Sequence, residues 1–84
     1  MKEKVTKKFN EATNTTQMVN SFIQILNHDA TGDIEKIKDC FNGVVEYCKD
    51  EPYYESVKDS IIRQVNTEML GVTDINNVAD LFGE

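Results

Sequence analysis

Apolar positions recur at helical intervals along most of the chain. Val5, Phe9, Ala12, Thr16, Val19, Ile23 and Leu26 stand at alternating spacings of four and three, a heptad stripe that predicts a long first helix over about residues 2–28. Phe22 and Ile25 broaden the stripe in its second half, so the later turns should be the more deeply buried. The weak stretch is "ATNTTQ". Thr13, Asn14, Thr15 and Thr16 are poor helix formers, and Asn14 followed three residues later by Gln17 fits a fresh helix start, so a break near residues 13–15 is the alternative to one continuous helix.

After "ATGD" a second stripe begins with Ile34, Ile37, Phe41, Val44 and Cys48, with Cys40 and Val45 beside it. It predicts a helix over 33–49, opened by Thr31 or Asp33 as cap, with Glu35 placed favourably in its first turn. Gly43 lies inside this stripe and costs about 1 kcal/mol against alanine, which points to a close helix crossing; a short strand "GVVEYC" is the weaker alternative. In "KDEPYYES", Asp50 or Glu51 can cap a further helix, because proline fits only a first turn. That helix, over 52–70, carries Tyr54, Val57, Ile61, Val65 and Met69 inward, with Glu55–Lys58 and Asp59–Arg63 as exposed pairs, and Gly71 ends it. A short fourth helix over 74–82, capped by Thr73 or Asp74, presents Ile75, Val78, Ala79 and Phe82 on one face.

The expected architecture is therefore all-α: an antiparallel three-helix bundle plus a short C-terminal helix, one domain over residues 1–84. A chain of 84 residues buries only about 60 to 65% of the surface its unfolded form exposes. So thin a core, together with the long heptad, favours a homo-oligomer.

Charge changes this picture more than composition does. The net charge is −6, yet Lys2, Lys4, Lys7 and Lys8 sit against Glu3 alone in the first ten residues, and after Arg63 there is no basic residue. A cationic head thus precedes an anionic body. Such a body disfavours direct binding of nucleic acid or an anionic membrane, both of which require lysine and arginine to neutralise phosphates. No apolar run reaches the length of a membrane span, and "MKEKVTKKFN" lacks the apolar core of a secretion signal, so the expected location is cytoplasmic. Cys40 and Cys48 would lie about 12 Å apart by helical rise, too far for a disulfide.

Candidate chemistry is sparse. "NHDATGDIE" gathers the single histidine, His28, with Asp29, Thr31, Gly32 and Asp33. Counted from Asp29, oxygen-bearing residues fall at positions 1, 3, 5 and 7, as in the calcium loop of EF-hands, but the glycine stands at position 4 and Cys40 occupies the place of the bidentate glutamate. His28 with Cys40 and Cys48 makes no zinc pattern. The loop reads better as a helix exit and entry, and no metal, cofactor or catalytic residue is expected.

Lys4, Lys7, Lys8 and Phe9 could hold a phosphorylated small molecule or nucleotide, although a solvated basic terminus accounts for the same residues. At the other end, Ala79, Asp80, Leu81 and Phe82 resemble the latter part of the peptide with which bacterial polymerases and their accessory proteins dock on the sliding clamp. The leading glutamine of that family is Val78 here. The resemblance implies a partner-binding role for Asp80, Leu81 and Phe82, while helix packing explains the same positions. Tyr47, Tyr53 and Tyr54 flank the helix junction at Pro52 and suit either a protein interface or the roof of a small core.

The reading that follows is a small acidic, non-catalytic protein-binding regulator, adaptor or inhibitor, of a size that suits an accessory protein of a phage or mobile element. An oligomer sequestering a phosphorylated ligand at the lysine head is the alternative, and a clamp-docking accessory protein is the third.

Overall fold

The heptad stripe of the first third is carried by two helices, not one. The computed structural model describes residues 2–30, 32–68 and 82, and among them the chain forms α1 (Lys2–Glu11), α2 (Thr15–Asp29), α3 (Ile34–Cys48) and α4 (Tyr54–Glu68), with no strand. The single helix over 2–28 gives way to the broken alternative because side chains between the two segments serve as caps. Asn14, in an extended conformation, accepts a hydrogen bond from the Gln17 N–H at 2.9 Å. Gln17 reaches back so that its Oε1 accepts from the Thr13 N–H at 2.9 Å and from the Thr13 hydroxyl at 3.0 Å. These reciprocal bonds satisfy donors that a continuous helix would have bonded to the preceding turn.

The break folds the chain back on itself. Lys4 forms an ion pair with Asp29, whereas on an unbroken helix these residues would stand about 37 Å apart by axial rise. The stripe's two halves therefore share one core. Val5 and Phe9 on α1 and Met18, Val19, Phe22, Ile23, Ile25 and Leu26 on α2 are all buried. Thr16, a stripe position in a continuous heptad, is exposed.

The second connection uses backbone freedom. Gly32 takes φ +79°, a left-handed conformation that costs other residues about 1–2 kcal/mol. Asp33 then caps α3 by accepting from the Glu35 and Lys36 N–H groups at 3.1 and 3.2 Å. His28 lies in the last turn of α2, where a basic group opposes the dipole's negative end.

On α3, Ile37, Cys40, Phe41, Val44 and Cys48 are buried as the stripe requires, but Ile34 is 41% exposed. Gly43 marks the expected close crossing, with no strand: a Cβ built there would lie 3.2 Å from both the Lys2 Cα and the Val5 Cβ. Helix α4 starts two residues after Pro52 and buries Val57, Ile61 and Val65. Phe82 joins the same core, edge-on to Phe41 at 4.9 Å, and Phe41 meets Phe22 at 5.0 Å in the same manner. These parts make a helical bundle in which α1 packs on α3 and α2, and α2 also on α4. The expected helix over 74–82 lies outside the described residues except for Phe82. No helix among the described residues is long and apolar enough to cross a membrane.

Candidate functional site

Five exposed carboxylates and the exposed Lys49 fall on and beside the α3–α4 connection. Glu46, Asp50, Glu51, Glu55 and Asp59 are all exposed there. Glu46 pairs with Lys2 at 3.3 Å and Glu55 with Lys58 at 4.0 Å, while Asp50, Glu51 and Asp59 take part in no ion pair with the described residues. The Asp59–Arg63 pair expected on α4 does not form. Glu55 and Asp59 stand one turn apart, a like-charge spacing that costs a helix about 0.2–0.5 kcal/mol.

Three tyrosines are set among these carboxylates. Tyr47 packs edge-on against Phe9, ring centroids 5.3 Å apart, and its hydroxyl donates to Asn10 Oδ1 at 2.8 Å, so it ties α3 to α1. Tyr53 and Tyr54 are half-buried against the core. Burial pushes the Tyr53 phenol above its ordinary titration range, and the nearby Glu51 adds to the effect. The Tyr54 ring lies 5.9 Å from Lys58 Nζ, and Lys58 is the buried charged residue of the described core. Its cation is thus drawn beneath the surface, leaving Lys49 as the exposed cation among these carboxylates. The acidic members of this edge were not singled out from sequence; Glu51 and Glu55, on either side of Tyr53 and Tyr54, were the available signal.

The structure divides the lysine head. Phe9 is only 2% exposed, so its ring belongs to the core and is not presented to a ligand. Lys4 is held by Asp29, with Lys8 in the groove between α1 and α2. Lys7 lines a different and wider groove of about 660 Å³ with Lys2, Asn10 and Glu46. At the C-terminal end, Asp80 and Leu81 lie outside the described residues, and Phe82 is buried against Phe41, a position in which its ring fills the protein's own core.

The polar density of "NHDATGDIE" is spent on structure, since Asp29 binds Lys4 and Asp33 caps α3. Cys40 and Cys48 are free thiols inside the bundle. Burial pushes each up to about 11, and the Cys48 thiol donates to the Val44 carbonyl at 3.3 Å. Both are neutral at physiological pH, a state unsuited to nucleophilic attack or metal ligation.

Comparison of the chain with family models, with curated proteins and with solved structures found no match.

Proposed function

We propose that this helical bundle is a non-catalytic protein-binding regulator, adaptor or inhibitor that engages a basic partner through the acidic, tyrosine-bearing edge at the α3–α4 connection. The observation that carries this reading is the set of exposed carboxylates of Asp50, Glu51 and Asp59, without ion pairs to the described residues, around half-buried Tyr53 and Tyr54. Exposed carboxylates steer a cationic surface inward, and tyrosines supply rigid contact area at low entropic cost. The like-charge spacing of Glu55 and Asp59 fits a surface shaped for recognition, because neutralisation by a partner would relieve it.

The antiparallel arrangement of the helices within the bundle and its self-association belong to the same proposal, and the second rests on the thin core of so short a chain. The heptad that also argued for it is taken up inside one chain. Among the described residues, Ile34 is the large apolar side chain left exposed.

The test is affinity capture from the native host's lysate with the wild-type chain and with a Glu51→Lys, Asp59→Lys variant, both checked for helicity by circular dichroism. A protein retained by the wild type and released by the equally helical variant supports the reading. An identical set of captured proteins overturns it.

A further inference from the structure

The acidic edge leaves unexplained the basic side chains that gather where α1 lies along α2. An open groove of about 280 Å³ runs between them. Its floor is Ile25, which is 3% exposed. Its walls carry Lys4 and Lys8 from successive turns of α1, and Ser21, Gln24 and His28 from one face of α2. Asp29 is the single acid of the lining, and Lys4 already engages it.

Three features distinguish this groove from scattered surface charge. First, Lys8, Ser21, Gln24 and His28 take part in no side-chain hydrogen bond or ion pair with the described residues. Four donor-capable side chains from two helices therefore converge on one concave site with their capacity unspent. Second, the acid at its end is outnumbered. The Asp29 carboxyl is held below its usual range by the hydrogen bond from Lys4, and the charges of Lys4, His28 and Lys36 all reach it. Third, the wider groove on the other side of α1 is balanced differently: Lys2 and Lys7 there face Glu3, Glu11 and Glu46. An anion entering that groove would meet three carboxylates.

We infer that the α1–α2 groove binds a phosphate group, with Lys8 as its principal cation, His28, Ser21 and Gln24 as hydrogen-bond donors, and Lys4 fixed at the rim by Asp29. The Lys8 ammonium, free of any ion pair with the described residues, supplies the charge-assisted bond to a phosphate oxygen, and the hydroxyl, amide and imidazole donors complete the set. The groove's volume of about 280 Å³ leaves room beside the phosphate for the organic part of a small phosphomonoester. This site is independent of the acidic edge, and either could fail without the other.

The experiment is a titration of the full chain with inorganic phosphate, pyrophosphate and sodium chloride, followed by backbone amide and side-chain chemical shifts. Phosphate or pyrophosphate is expected to give saturable shifts centred on Lys8, Ser21, Gln24 and His28. The affinity should fall about tenfold in Lys8→Ala, the size of one lost charge-assisted hydrogen bond, and stay unchanged in Lys7→Ala. All four responding side chains lie at the surface or half-buried, so the variants keep the core intact. Shifts that sodium chloride reproduces at equal ionic strength would overturn the site, as would equal losses from Lys7→Ala and Lys8→Ala. Binding of pyrophosphate but not phosphate would keep the site and assign it to ligands with more than one phosphoryl group.

Discussion

The two sides of α1 are built on opposite plans. Toward α3 the helix is pressed into a close crossing, where a Cβ on Gly43 would lie 3.2 Å from Lys2 and Val5, and Val5, Phe9 and Tyr47 close the contact beneath the wider groove that Lys2, Lys7 and Glu46 line. Toward the outer part of α2 it leaves an open groove crossed by an ion pair. The difference teaches where one short helix can place stability and where it can place recognition. Apolar burial is dense and intolerant of volume change, while solvent-exposed charge contributes little to stability and remains free to meet a ligand.

The closed side should therefore break hardest. Phe9→Ala removes a ring that is 2% exposed and packed edge-on against Tyr47, and should cost about 3–5 kcal/mol in urea unfolding, a large share of a small domain's stability. A loss below about 1 kcal/mol would mean that the α1–α3 contact is not part of the stable core.

Gly43→Ala sharpens the comparison because two effects oppose each other. Alanine in an open helix gains about 1 kcal/mol over glycine, but here its Cβ would meet the Lys2 backbone and Val5 at 3.2 Å, and overpacking of this kind costs about 1–3 kcal/mol. The expected outcome is a net loss of about 1 kcal/mol. A stabilised variant would show that α1 can move off α3 freely.

The open side should give the smallest effect and reveal itself by pH. The Lys4–Asp29 bond lowers the Asp29 titration below its ordinary 3.8, so its contribution is present above that value and is lost as pH falls through the lower native value. Asp29→Asn should be slightly less stable than the wild type at neutral pH and indistinguishable from it near about pH 2, as measured by urea midpoints. A difference that persists unchanged in acid would assign the effect to something other than this carboxylate.

Much of the fold was legible in the pattern. The stripes of α3 and α4, the cap at Asp33 and the crossing at Gly43 follow from local chemistry that depends on few distant contacts. The first helix was less legible, because a four-three spacing is equally satisfied by one long helix and by two that face each other; each half needs an apolar stripe either way. Only the hydrogen-bonding capacity of Thr13, Asn14 and Gln17 tips the balance, and that is a matter of about 1 kcal/mol.

The candidate sites were legible to the extent that one helix composed them. Lys4 and Lys8 could be grouped from sequence, but their division from Lys7 and Phe9 depends on which faces α2 and α3 cover. Ser21, Gln24 and His28 do follow a helical spacing along α2. Nothing in that spacing shows which lysines they meet until the chain doubles back at residues 12–14. The acidic edge likewise needed the inward placement of Lys58, which formal charge along the chain does not reveal.

The two thiols of α3 give the bundle a built-in clock. Because Cys40 and Cys48 are sealed inside and held as neutral thiols, an alkylating reagent in the surrounding solution can reach them only while the helices are apart. The labelling rate then counts openings of the core directly, without any added probe. Their spacing along one helix also keeps the pair from closing on itself while α3 is intact, so a disulfide between them would record an opened chain.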